Sequence, residues 1–138
     1  MPVDIRGLAP LIQVFDMSAS VHFYRDLLGF ELIATSPGFG WALLRLNGVE
    51  LMLNTAYEDE HRPPAPEPGL VAAHGDTELY FGCPDVDLAY RQLRDLGLDV
   101  KEPVNTYYGM RQLYVKDPDG FHLCLQWPVD GKWRYAES

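Results

Sequence analysis

No apolar run in this sequence approaches the roughly 18 residues needed to cross a bilayer, although 47% of its residues are hydrophobic. A membrane-spanning helix is therefore excluded, and an ordinary globular protein with no membrane partner is expected. Cysteine is scarce. Cys83 and Cys124 stand far apart with no C-x-x-C spacing, which argues against both a zinc finger and a disulfide framework and predicts two reduced thiols. Basic charge is in deficit: 11 Lys and Arg face 20 Asp and Glu, for a formal charge of −9. That balance repels nucleic acid and anionic membranes, so neither is an expected partner; it favours cationic small molecules or simply solubility. The amino-terminal stretch "MPVDIRGLAP" has no basic segment leading into an apolar core, so no secretion signal is read and a cytoplasmic location is expected. At 138 residues the chain fits one domain that buries roughly 68–70% of its unfolded surface.

What the sequence has is a repeat. "VFDMSASVHFYRDLLGFEL" and "CPDVDLAYRQLRDLGLDV" share an Asp at the end of an apolar strand, a helix containing Tyr-Arg, and a Leu-Gly stop. Val21, Tyr24 and Leu28 form the apolar stripe of the first helix, with Ser18 as its expected cap and Gly29 at its end. Val86, Ala89, Leu93 and Leu96 do so in the second, ended by Gly97. Each copy closes in a hairpin, "WALLRLNGVELMLN" and "MRQLYVKDPDGFHLCLQW", and Asn47-Gly48 has the chemistry of a two-residue type I′ turn. Each half thus reads strand, helix, three strands. The predicted layout is module one at about 7–55, a Pro-rich and charged linker or loop at about 56–76, module two at about 77–128 and a tail at 129–138.

A four-stranded sheet with one helix covers only one of its faces. Two such modules set edge to edge are expected to curve into a shared concave surface of the kind that takes ligands. Strand alternation sorts the residues. Ile12, Val14, Leu51, Leu53, Leu79 and Phe81 go to the helices; Gln13, Glu50, Met52, Asn54, Glu78, Tyr80, His122, Cys124 and Gln126 are left on the other side. Glu50, Glu78, His122 and Cys124 are the candidate metal donors among them. Each also has an ordinary account. Arg45 lies almost directly across the Asn47-Gly48 turn from Glu50, so a cross-strand ion pair explains that glutamate equally well. His122 fits a semi-exposed polar residue, Cys124 a small buried one, and Glu78 a solvated strand end.

With "QVFDMSASVHFYRDLLGFEL", "GVELMLN", "LYFGCPDVDLAYRQLRDLGLDV" and "VKDPDGFHLCLQW" in this order and spacing, the chain resembles the glyoxalase/bleomycin resistance protein/extradiol dioxygenase superfamily, the vicinal oxygen chelate fold, over almost its whole length. The resemblance implies an α+β fold of two βαβββ modules forming a curved, barrel-like mixed sheet around a concave ligand cavity, one vicinal oxygen chelate domain over 1–138. In metal-using relatives the four ligand positions fall on Ala9, Glu50, Glu78 and Cys124. Alanine has no donor atom, and a thiolate is a poor partner for hard or borderline ions. His122 lies two residues, about 6.5–7 Å, along the strand from Cys124.

The expectation is therefore a protein without metal or cofactor, similar to the bleomycin resistance branch: a homodimer that sequesters a cationic or aromatic compound, antibiotic resistance being that branch's role and not one the fold itself implies. Trp41, Tyr80, Tyr107, Tyr108 and Trp127 are candidates for stacking on the ligand, with Trp41 and Trp127 equally explained by packing, and "NTYYGMRQ" resembles a loop over a cavity mouth. Trp133 and Tyr135 in the tail are candidate dimer contacts. Two alternatives stay open: a divalent-metal lyase, isomerase or dioxygenase of the same superfamily, and a metal-free enzyme using Glu78 or His122 as general base.

Overall fold

The computed structural model describes residues 2–132, so Trp133 and Tyr135 lie outside the described residues. The chain divides into two compact units, residues 1–66 and 67–138, and the two repeat one topology. In the first unit, β1 (Leu11–Gln13) leads into α1 (Met17–Val21), which continues as a π-helical turn (His22–Leu27), then β2 (Glu31–Thr35), β3 (Trp41–Leu46) and β4 (Val49–Asn54). In the second, α2 (Pro68–Ala73) precedes β5 (Glu78–Gly82), α3 (Val86–Asp95), β6 (Val104–Asn105), β7 (Met110–Lys116) and β8 (His122–Pro128). The ladders form two four-stranded mixed sheets, ordered β1-β4-β3-β2 and β5-β8-β7-β6. The sequence suggested one barrel-like sheet; backbone pairing instead makes two sheets, neither closed, because each first strand pairs in parallel with the last strand of its own module.

Both helices start where the repeated Asp stands. Asp16 accepts from the Ala19 amide at 3.2 Å, and Asp85 accepts from the Leu88 amide at 2.9 Å. Ser18, the expected first cap, sits inside α1; Asp16 displaces it because a carboxylate two residues earlier reaches the unpaired amides of the first turn. Gly29 and Gly97 end the helices at φ of 91° and 92°. Between β3 and β4, Asn47 and Gly48 carry φ of 50° and 83°, as a type I′ turn requires.

The apolar sides face the helices as alternation predicts. Tyr24, Ala42, Leu44 and Leu53 are fully buried in the first unit, and Leu113, Leu123, Val86 and Leu93 are buried in the second. Leu96, expected in the stripe of the second helix, is 51% exposed, because the helix has reached its C-cap there.

The segment read as a linker contains more structure than its composition suggests. Its first half stays with the first unit, where Arg62 pairs with Asp59 at 2.8 Å and Asp16 at 3.4 Å and lies over the Phe15 ring. Its second half is α2 and a 3-10 turn at His74–Asp76. These pack on the Asp117–Gly120 turn: the His74 ring stacks on Phe121 with centroids 4.1 Å apart, and His74 Nδ1 donates to the Asp119 carbonyl at 2.7 Å. Too short to be stable alone, this helix takes its order from that contact, which local periodicity cannot report.

Candidate functional site

On the first unit's sheet, the face turned from the helix carries three rows. Glu31, Arg45 and Glu50 share the first, Leu43, Met52 and Leu11 the second, and Trp41, Asn54 and Gln13 the third. Arg45 Nη2 donates to Glu50 Oε2 at 2.8 Å, so the ion pair accounts for Glu50. Asn54 Nδ2 donates to Gln13 Oε1 at 3.0 Å.

The second unit's open face is richer. Glu78, His122 and Lys116 form its first row, Tyr80, Cys124 and Tyr114 its second, Gly82, Gln126 and Gln112 its third. Strand alternation thus brings Glu78, Tyr80, His122, Cys124 and Gln126 together. It also brings in Gln112 and Tyr114, which were not singled out from the sequence, although "MRQLYVK" alternates Gln112, Tyr114 and Lys116 with the buried Leu113 and Val115. Trp127 goes elsewhere: its partner across the ladder is Arg111, which clamps Asp87 of α3 at 2.7 Å. It lines a cleft of about 380 Å³ beside the start of α3, on the helix side of the sheet. Counting from Gln126, one more residue turns the side chain over.

Polar groups on this face are bound to one another. Gln112, 1% exposed, donates from Nε2 to Tyr108 Oη at 3.0 Å and to Gln126 Oε1 at 2.9 Å, while its Oε1 accepts the Tyr114 hydroxyl. An amide used at both ends in a buried position fixes its partners. The Tyr80 hydroxyl donates to Glu78 Oε2 at 3.3 Å. Tyr80, Tyr114 and Tyr108 nonetheless keep 48%, 50% and 55% of their surface exposed, so their rings are presented while their hydroxyls are anchored. Tyr107 is fully exposed and meets the Tyr108 ring edge-on at 5.0 Å.

Ionisation follows the surroundings. Loss of water contact, then the neighbouring Glu78 charge, pushes the Tyr80 phenol up to about 12. The same two causes raise the Cys124 thiol to about 11, and burial raises Tyr114. At neutral pH both phenols are proton donors and Cys124 is a thiol, not a thiolate.

These side chains do not fit a divalent ion. Ala9 offers no donor, Glu50 is committed to Arg45, and Cys124 offers only a soft sulfur donor, a poor partner for hard or borderline ions. Among the described residues no three His, Cys, Asp or Glu side chains are grouped where they could hold a metal.

Residues 8–125 match the Glyoxalase/Bleomycin resistance protein/Dioxygenase superfamily, and the chain belongs to it. Solved structures with the same fold include TnmS3, an antibiotic binding protein from Streptomyces sp. CB03234, at 27% identity and a TM-score of 0.68, covering 92% of this chain and 99% of that one. A bleomycin-binding protein complexed with bleomycin aligns at 21% identity and a TM-score of 0.68, covering 88% and 98%. Lactoylglutathione lyase from Agrobacterium tumefaciens aligns at 19% identity and a TM-score of 0.67, covering 91% and 94%. The same frame therefore carries binders and an enzyme, and the side chains must decide between them.

Proposed function

We propose that this chain is a metal-independent small-molecule binding protein of the glyoxalase/bleomycin resistance type, and that the open face of its second sheet contacts the ligand. The observation that carries the reading is the Tyr80–Cys124–Tyr114 row: two phenol rings are half exposed and held by their hydroxyls, with an inert thiol between them. Anchored aromatic rings offer stacking area at little cost in conformational entropy. Glu78 adds a carboxylate that favours positive charge, and the chain's acidity works in the same direction at longer range. Tyr107 beside Tyr108 completes the proposed ligand-binding set of this face with His122 and Cys124, and Gln13, Trp41, Met52 and Asn54 are proposed as ligand contacts on the first unit's own open face. Glu50, paired with Arg45, has a structural role in this reading. Support also comes from the binding proteins that share the fold.

The experiment has two arms. Basic glycopeptides and planar cations are titrated while tryptophan fluorescence is followed, and the protein, purified without a metal-affinity tag, is analysed for bound elements. Micromolar binding with no near-stoichiometric Ni, Zn, Mn or Fe is the expected result. Stoichiometric metal would overturn the reading in favour of a metalloenzyme, and turnover of a bound compound that is lost in Glu78→Gln would favour a metal-free enzyme.

A further inference from the structure

Hydrogen-bonding capacity on the second unit's open face is split between two ends that ask for opposite chemistry. At one end Glu78 takes the Tyr80 hydroxyl on Oε2 and keeps Oε1 as an acceptor. His122 and Lys116 share that row, but among the described residues Glu78 forms an ion pair with neither, and the His122 ring lies beside Gly75. A ligand donor is therefore satisfied on the β5 side, beside Glu78 and Tyr80. At the other end the hydrogen bonds run from Gln112 outward. Tyr108 Oη and Gln126 Oε1 both accept from Gln112 Nε2, which leaves the Tyr108 O–H and the Gln126 Nε2 hydrogens to donate. From the His122 row to the Gln126 row is four residues of β8, about 13 Å of strand. Between them stand the half-exposed rings of Tyr80 and Tyr114.

We infer that this face takes a flat, conjugated molecule about as long as that spacing, with an ammonium at one end and a carbonyl at the other, laid along β8 in one direction. The ammonium sits at Glu78 and Tyr80, the carbonyl accepts from Tyr108 and Gln126, and the ring system stacks on the two tyrosines. The inference rests on the reading of this face as a ligand surface and adds a ligand class and an orientation to it.

Three probes separate the two claims by calorimetry on the full chain: 2-acetyl-6-(aminomethyl)anthracene with both end groups, 2-(aminomethyl)anthracene with the ammonium only, and 2-acetylanthracene with the carbonyl only. The two-ended probe should bind the unmodified protein most tightly. Glu78→Gln should weaken both aminomethyl probes roughly ten- to a hundredfold and leave 2-acetylanthracene unchanged, since only the former lose a charge-assisted hydrogen bond. Tyr108→Phe should weaken both acetyl probes roughly three- to tenfold and spare 2-(aminomethyl)anthracene, with thermal unfolding confirming that the variant folds. Binding of all three probes with equal affinity overturns the inference and leaves the ligand surface standing as a stacking platform. Glu78→Gln weakening every probe alike overturns the orientation. No binding of any probe at millimolar concentration overturns the ligand surface and the inference with it.

Discussion

Arg45 and Glu50 face each other across the β3–β4 hairpin with Nη2 2.8 Å from Oε2. The turn geometry of Asn47-Gly48 sets this distance, so the pair is a consequence of local folding. Both partners are partly exposed, at 46% and 34%. Glu50→Gln should therefore cost about 0.2–1 kcal/mol in urea unfolding, with the difference shrinking at high salt. Ligand affinity should not change. A loss of binding in Glu50→Gln comparable to that of Glu78→Gln would place Glu50 in the site.

Stability should fall above pH 9. Cys124 titrates at an ordinary 9.0 when unfolded and at about 11 when folded, and Tyr80 at 10.0 and about 12. A folded value above the unfolded one means that the native state holds its proton longer, so the stabilisation is complete below the unfolded value and disappears as pH rises through the folded one. The Cys124 contribution is on the order of 1–3 kcal/mol, lost between about pH 9 and 11. Melting temperatures measured across this range should decline, and Cys124→Ala should flatten part of the decline. Iodoacetamide at pH 8 should label the half-buried Cys83 before the buried Cys124.

Gly120 tests how the former linker is held. Its φ is 87°, and a Cβ built there would lie 2.7 Å from the Val71 carbonyl oxygen of α2. Gly97 has a similar φ of 92° with nothing within 4 Å. Gly97→Ala should therefore cost about 1 kcal/mol for the backbone alone, and Gly120→Ala about 2 kcal/mol or more, with α2 pushed from the turn. Denaturant midpoints give both values. Faster amide exchange at residues 70–76 in Gly120→Ala alone would trace the extra cost to the helix.

Much of this was legible because β-strands alternate. One rule separates Glu78, Tyr80, His122, Cys124 and Gln126 from Leu79, Phe81, Leu123 and Leu125 with no knowledge of the fold. It would have added Gln112 and Tyr114 had it been carried into "MRQLYVK", whose start is blurred by the Tyr-Tyr-Gly loop before it. Trp127 stays open between stacking and packing on sequence alone, and its position after Gln126 puts it on the helix side. Two features lie beyond local pattern. The Asp16 cap competes with Ser18 on sequence alone, and only the distance to the Ala19 amide decides. The order of α2 depends on Phe121, Gly120 and Asp119, some 45 residues away, and tertiary packing of that kind leaves no period to read.

The final prediction concerns association. Each sheet ends in two edge strands whose outer backbone groups have no ladder partner within the sheet, and such edges invite pairing with another chain. Ahead of β1, Val3, Ile5 and Leu8 are 79%, 78% and 85% exposed, three large apolar side chains within six residues and with little local contact to hold them. Apolar surface of that kind costs free energy in water until something covers it, and a second copy of the chain meets it under a two-fold axis at no cost in specificity. Light scattering at micromolar concentration should report twice the 15.6 kDa chain mass. Replacing Val3, Ile5 and Leu8 together by Ser should move the equilibrium toward monomer without lowering the unfolding midpoint of the monomer, because none of the three contributes to the buried core. A wild-type chain that stays monomeric at these concentrations would overturn the expected homodimer, and a triple variant that still dimerises would move the contact away from these three residues.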